Sequence, residues 1–287
     1  MNLTERRERF RAILSGNRCV HPGSVFDPLS ARAAEDVGFE VAMFAGSIAS
    51  GTVLGAPDLI VLTLSEFAEQ IHRICRASSI SLMVDADHGY GNALNVKRTV
   101  EELESAGVSC LTIEDTLLPL SFGAGGEGQL ISVEEGIGKM KAALSGRQDP
   151  SLVVAGRTSA LRNGGVAEAI KRVKAYQGAG VDAVFLAGAQ TRAELEEVHA
   201  AVNIPLLLGG AGGDLDDLDF LGANGVRVAL QGHLPFQAAV KAAYDTLKAL
   251  RDGVSPADLG DNLASPELMG QLTRRDDYNR WVKEFLG

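Results

Sequence analysis

SLMVDADHGYGNALNVKRTVEELESAGVSCLTIED, running from Ser81 to Asp115, contains one complete turn of the pattern that decides the fold. Ser81 to Val84 is a short apolar run of strand type. Asn95 to Ala106 carries apolar residues at helical spacing and stops at Gly107, and Cys110 to Ile113 is a second apolar run. Strand, helix, strand in that order predicts a βα unit of a parallel sheet.

The same alternation extends in both directions. Strands are expected near Cys19 to Ser24, Val41 to Ala45, Ser81 to Val84, Cys110 to Ile113, Leu152 to Ala155, Ala183 to Leu186, Pro205 to Leu208 and Val226 to Ala229. Helices are expected over Pro28 to Val37, Ser65 to Ala77, Asn95 to Ala106, Val133 to Leu144, Val166 to Gln177, Arg192 to Ala201, Leu215 to Leu221 and Leu234 to Leu250. Gly38, Gly107, Gly178, Gly180 and Gly222 read as helix stops. Eight strands, each followed by a helix, predict an α/β fold of the (β/α)8 TIM-barrel type rather than an open doubly wound sheet.

Residues 1–252 are thus read as a barrel with an N-terminal helix, and 253–287 as a C-terminal helical extension of the same domain. In that tail Tyr278, Trp281 and Phe285 form an apolar stripe that must be covered, by this barrel or by a neighbouring subunit. A dimer or tetramer is expected.

A chain of 287 residues is long enough for a substantial core. Its net charge of −10 excludes the basic face that nucleic acid or an anionic membrane would require. Cys19, Cys75 and Cys110 lie far apart with no CxxC spacing, which predicts reduced thiols and a cytoplasmic location. No apolar run reaches the length of a membrane span.

TIM barrels place their chemistry at the C-terminal strand ends. Those positions hold Gly46 and Ser47 after strand two, Asp85 and Asp87 after strand three, Glu114 and Asp115 after strand four, Arg157 after strand five and His233 after strand eight. Carboxylates crowded at one mouth repel one another unless a cation stands among them, and oxygen donors without paired His or Cys favour a hard ion such as Mg2+, with Mn2+ as a substitute. The alternative for each acid is a helix cap or a bond to a loop amide. Arg157 offers a permanent charge for a carboxylate or a developing enolate, or else an internal ion pair with Glu114 or Asp115. Gly46 and Ser47 could hold an anion on amides and a hydroxyl. Gly89 and Gly91, flanking Tyr90, permit a tight turn under the acidic pair.

Asp85-Ala86-Asp87-His88-Gly89-Tyr90-Gly91, Ile113-Glu114-Asp115, Gly156-Arg157-Thr158 and Ala179-Gly180-Val181-Asp182 with Phe185 resemble the isocitrate lyase and phosphoenolpyruvate mutase superfamily. The resemblance runs from Phe26-Asp27-Pro28 to His233. The extended string Asp85 to Val96, Thr63-Leu64-Ser65-Glu66-Phe67 and Ile113 to Pro119 are most similar to its oxaloacetate decarboxylase branch.

The resemblance implies a magnesium ion held by Asp85, with Asp87 and Glu114 contributing directly or through water. It implies a small anionic 2-oxo acid bound by Gly46, Ser47, Arg157 and His233, and decarboxylation through an enolate that His233, Tyr90 or water would protonate. It also implies a homo-oligomer exchanging a C-terminal helix.

Two departures shape that expectation. The family's lyases carry a loop with a reactive cysteine, whereas Leu117 to Ser132 has no Cys, Lys or His, which disfavours cleavage of large tricarboxylates. Gly209-Gly210-Ala211-Gly212-Gly213 follows strand seven, where a glycine-rich loop could instead cradle a phosphate. A phosphate-binding barrel enzyme, another carbon–carbon lyase of the superfamily and a non-catalytic metal-binding relative are the competing readings.

Overall fold

The computed structural model describes residues 2–123 and 129–287. Its sheet contains β1 (Gly23–Ser24), β2 (Val41–Phe44), β3 (Ser81–Asp85), β4 (Cys110–Glu114), β5 (Val153–Thr158), β6 (Ala183–Leu186), β7 (Leu206–Leu208) and β8 (Val226–Ala229). All neighbours are parallel and follow chain order. Closure comes from Val20, which bridges Val228 in parallel: its amide donates to the Arg227 carbonyl at 3.0 Å and its carbonyl accepts from the Ala229 amide at 3.0 Å. The TIM barrel expected from the sequence is therefore the fold.

The helices are α1 (Leu3–Ser15), α2 (Pro28–Asp36), α3 (Gly46–Ala49), α4 (Leu64–Ala77), α5 (Ala93–Ala106) and α6 (Val133–Gly146), then α7 (Ala160–Ala179), α8 (Arg192–His199), α9 (Leu218–Ala223), α10 (Leu234–Arg251), α11 (Pro266–Thr273) and α12 (Arg275–Phe285). Strands such as Val41–Phe44 are buried throughout, as a parallel sheet between a packed interior and an outer helix layer requires. Helix starts are fixed by side-chain caps: Thr63 and Glu66 form a reciprocal capping box at α4, and Asn92 and Asn95 do so at α5. Gly107 ends α5 in the left-handed region.

Several expectations need correction. The first strand, expected from Cys19 to Ser24, is laddered only at Gly23–Ser24 because Pro22 between it and Val20 has no N–H to donate. Gly178 and Gly222 are not stops. Gly178 lies inside α7, which ends at Gly180, and Gly222 lies inside α9, where a Cβ would come within 2.8 Å of the Asn17 carbonyl. Helix α7 begins at Ala160, six residues before the expected start, and is broken at Gly165, so an extra turn stands over the mouth. Leu215 to Leu221 is a 3-10 turn (Gly213–Leu215) followed by the short α9.

An element absent from the expectation follows β2: α3 runs into a π-helical turn, Ser50–Leu54, from which residues 55–63 pass over the barrel end. At the other extreme, α10 buries none of its residues and leaves Leu234, Val240, Tyr244 and Leu247 exposed. Tyr278, Trp281 and Phe285 of α12 are exposed as well, although Arg274 just before it pairs with Asp36 of α2 at 2.7 Å. Among the described residues no helix is long and apolar enough to cross a membrane.

Candidate active site

The C-terminal strand ends open into a cavity of about 1730 Å3 whose walls include Ser47, Asp58, Asp85, Asp87, Glu114, Arg157, Arg162, Glu168 and His233. Asp85 ends β3 and Glu114 ends β4. Between them in sequence, Asp87 takes a left-handed backbone (φ 48°), and its carbonyl accepts from the Glu114 amide at 2.8 Å, which ties the two strand ends together. The Thr112 hydroxyl donates to Asp85 Oδ1 at 3.1 Å and orients that carboxylate. Gly89 is left-handed as well (φ 80°), and a Cβ there would fall 2.4 Å from Val96, so only glycine fits.

Arg157, near the end of β5, forms an ion pair through Nη1 with Asp85 Oδ2, and its Nε lies 3.1 Å from Glu114 Oε2 without a hydrogen-bond alignment. Its other face stands 5.5 Å from the Phe185 ring centre. Burial alone would lower its pKa, but the charges of Asp85 and Glu114 outweigh that and keep it firmly cationic. Asp115 does not share Arg157. It is fully buried one layer back, accepting from Arg172 Nη1 at 3.0 Å and Tyr176 Oη at 2.6 Å.

The acids are short of positive charge. Burial, then the charges of Asp85 and Glu114, push the Asp87 carboxyl well above the ordinary range. Burial also raises Glu114 to about 7, against the opposing pull of Arg157. Asp58, at the rim, is raised by partial burial and by Asp85. Arg157, the guanidinium paired with these acids, cannot balance Asp58, Asp85, Asp87 and Glu114, and the missing charge together with an all-oxygen donor set fits a hard divalent cation. Asp85 and Glu114 turn toward Arg157, and among the described residues no group of three His, Cys, Asp or Glu side chains has ligand spacing.

The structure brings most of the sequence-derived residues together, though in different parts. Ser47 and His233 line the cavity, with His233 Nδ1 2.9 Å from the Ser24 hydroxyl. Burial lowers the His233 pKa, against a smaller upward pull from Asp85. Gly46 packs behind the wall: a Cβ there would sit 2.7 Å from Asp87 Oδ1, so its smallness makes room for the acid. Tyr90 is not on the wall. Its ring lies against Phe67 and His88, each 6.3 Å between ring centres, and its buried hydroxyl has no partner among the described residues.

Of the Gly209–Gly213 run only Gly209 reaches the cavity, and the Gly209 and Ala211 amides already donate to Leu186 and Leu230, which removes both from an anion cradle. The part of the Leu117 to Ser132 loop at 124–128 lies outside the described residues; Leu118, Pro119, Leu120, Gln129 and Leu130 line the wall.

Sequence reasoning missed Asp58, Arg162 and Ser24. It collected only polar residues directly after strands, whereas Asp58 arrives on the 55–63 segment and Arg162 on the extra turn of α7. A polar residue within a long loop after a barrel strand was the available signal for Asp58.

Comparison with known proteins agrees with this architecture. Residues 10–251 match the family model described as phosphoenolpyruvate phosphomutase. An oxaloacetate decarboxylase of Bradyrhizobium diazoefficiens is 54% identical over 287 residues, covering 100% of this chain and 99% of the relative. The crystal structure of phosphoenolpyruvate phosphomutase from Streptomyces platensis subsp. rosaceus superposes with a TM-score of 0.86 at 28% identity, over 98% of this chain and 99% of that one. A phosphonopyruvate hydrolase in complex with oxalate and Mg++ superposes with a TM-score of 0.85, also at 28% identity and over 98% and 99% of the two chains. With the match spanning nearly the whole barrel, the chain belongs to the phosphoenolpyruvate mutase family of the isocitrate lyase superfamily.

Proposed function

We propose that this protein is an oxaloacetate decarboxylase that uses a divalent cation, Mg2+, and releases pyruvate and CO2. The observation that carries the reading is the convergence of Asp85, Asp87 and Glu114 around Arg157 at the strand ends of a chain that matches oxaloacetate decarboxylases along its full length. Asp85 would hold the cation, with Asp87 and Glu114 contributing directly or through water. When bound, the cation supplies a Lewis acid that lowers the cost of negative charge on the substrate's ketone oxygen.

The residues of the chain do the rest. Ser47 and the adjoining amides hold the C1 carboxylate. As the C3–C4 bond breaks, its electron pair becomes the C2–C3 π bond, the carbonyl π pair moves onto the C2 oxygen and CO2 departs; Arg157, fixed by two carboxylates, faces the resulting enolate with a charge that needs no reorganisation. His233 faces the carboxylate that leaves. Water entering the open cavity protonates C3; Tyr90, which does not line that cavity, is the less favoured donor.

Residues 1–252 form the catalytic barrel and 253–287 its extension, and the bare apolar faces of α10 and α12 support a homo-oligomer in which a second copy covers them. Three free, buried cysteines are in keeping with a cytoplasmic location. Pyruvate formation from oxaloacetate tests the activity: the protein should exceed the rate of Mg2+ alone, lose that excess in EDTA and regain it on Mg2+ addition. A rate equal to Mg2+ alone ends the decarboxylase reading.

A further inference from the structure

Ser24 and His233 come from opposite ends of the chain and meet because β1 and β8 are neighbours across the closure of the barrel. The Ser24 hydroxyl lies 2.9 Å from His233 Nδ1 and has no other partner among the described residues; nor does His233 Nε2. The bond made by one ring nitrogen decides what the other presents. The contact accommodates either direction, but with no other acceptor for the Ser24 hydroxyl among the described residues and with the ring lining the cavity, donation from Ser24 to Nδ1 satisfies the hydroxyl proton and leaves the ring proton on Nε2 for a ligand.

The cavity lined by this ring contains five carboxylates, Asp58, Asp85, Asp87, Glu114 and Glu168. An anionic substrate entering there needs donors. A neutral N–H orients a carboxylate without the strong ground-state attachment that a full cation would give it, an attachment that would oppose its loss as CO2. Burial, which keeps the ring on the neutral side, agrees with that role.

We propose that Ser24 is a positioning residue: its hydroxyl donates to His233 Nδ1 and fixes the ring so that Nε2–H faces the departing carboxylate of the substrate. The inference rests on the decarboxylase reading for its substrate. No proton leaves the ring; the C3–C4 electron pair becomes the C2–C3 π bond, the carbonyl π pair moves onto the C2 oxygen, and CO2 leaves while Nε2 keeps its hydrogen.

Nitrogen-15 NMR of full-length, histidine-labelled protein, with the His233 signals assigned by their loss in His233→Gln, reads the tautomer directly. Wild type should show Nε2–H, and Ser24→Ala a mixture of both forms. In the same variant KM for oxaloacetate should rise about fivefold, the loss of one neutral hydrogen bond, with kcat less affected. Ser24→Thr, which keeps the hydroxyl, should restore both.

An Nδ1–H tautomer in wild type, or an unchanged tautomer in Ser24→Ala, overturns the proposal whatever happens to KM. The wild-type spectrum needs no variant to fold. The tautomer is also read without turnover, so failure of the decarboxylase assay and failure of the Ser24 assignment are separate results.

Discussion

The two halves of the barrel mouth are made of different chemistry. From β2 to β5 the strand ends carry Ser47, Asp85, Asp87, Glu114 and Arg157, whereas from β6 to β8 the wall consists of Phe185, Ala187, Gly188, Gly209 and Leu230, with His233 as the one ionisable residue at its edge. The contrast separates two demands of one reaction. Charge that develops on an enolate needs fixed, opposing charge on one side. The group that leaves becomes a neutral gas and needs only space, and an apolar wall strengthens the electrostatics opposite it.

The largest expected break in that division is Asp85→Ala. It removes the proposed principal cation ligand and frees Arg157, and kcat/KM should fall by about a thousandfold. Oxaloacetate turnover measured against the Mg2+ background checks it, and retained activity would place the cation elsewhere.

Adding one methyl group to each half gives a sharper comparison. In Gly46→Ala the new Cβ would sit 2.7 Å from Asp87 Oδ1 and displace the carboxylate, so turnover should drop by about a hundredfold with a nearly normal melting curve. Gly209→Ala would bring its Cβ 3.0 Å from Phe185 Cε1, where an aromatic edge can give way. That change belongs at the small end, about threefold in KM. Equal losses in the two variants would mean that the halves are not functionally distinct.

Between these lies a pH effect on metal-free protein. The folded Glu114 carboxyl is raised from 4.5 to about 7, so the folded state binds its proton more tightly than the unfolded state does. Stability should therefore fall as pH rises from 4.5 through about 7, lowering Tm by on the order of 5 °C. Glu114→Gln should flatten the slope in thermal melts, and Mg2+ should oppose it. A Tm that climbs over this interval in both proteins would contradict the shortage of positive charge.

The charged half was the more legible in the sequence. Strands β3 and β4 are apolar runs ending directly in Asp85 and Glu114, and β5 carries Arg157 one residue before its end, so periodicity alone delivers those side chains to one rim. Asp58 was not legible in this way, because its approach depends on a π-helical turn that no simple spacing marks. Tyr90 shows the opposite case. It lies in the acidic motif, but its own left-handed backbone (φ 59°) accompanies a ring turned onto Phe67, and it does not line the cavity. At β1 the apolar pattern overstated the strand because Pro22 is silent as a donor, and periodicity does not register a missing hydrogen.

That short strand gives the barrel a seam. Around Val20 two backbone hydrogen bonds, with His21 Nδ1 2.8 Å from the Ala229 carbonyl beside them, join β8 to the beginning of the chain, and Ser24 and His233 face each other just beyond. Local breathing of a wall starts where the fewest bonds must open together, so the Val20 and Ala229 amides should be among the first of the barrel strands to exchange with deuterium. A molecule held at once by the acids of β3 and by His233 would act as a clasp across that seam, and slowed exchange at those two amides would report its arrival even when no chemistry follows.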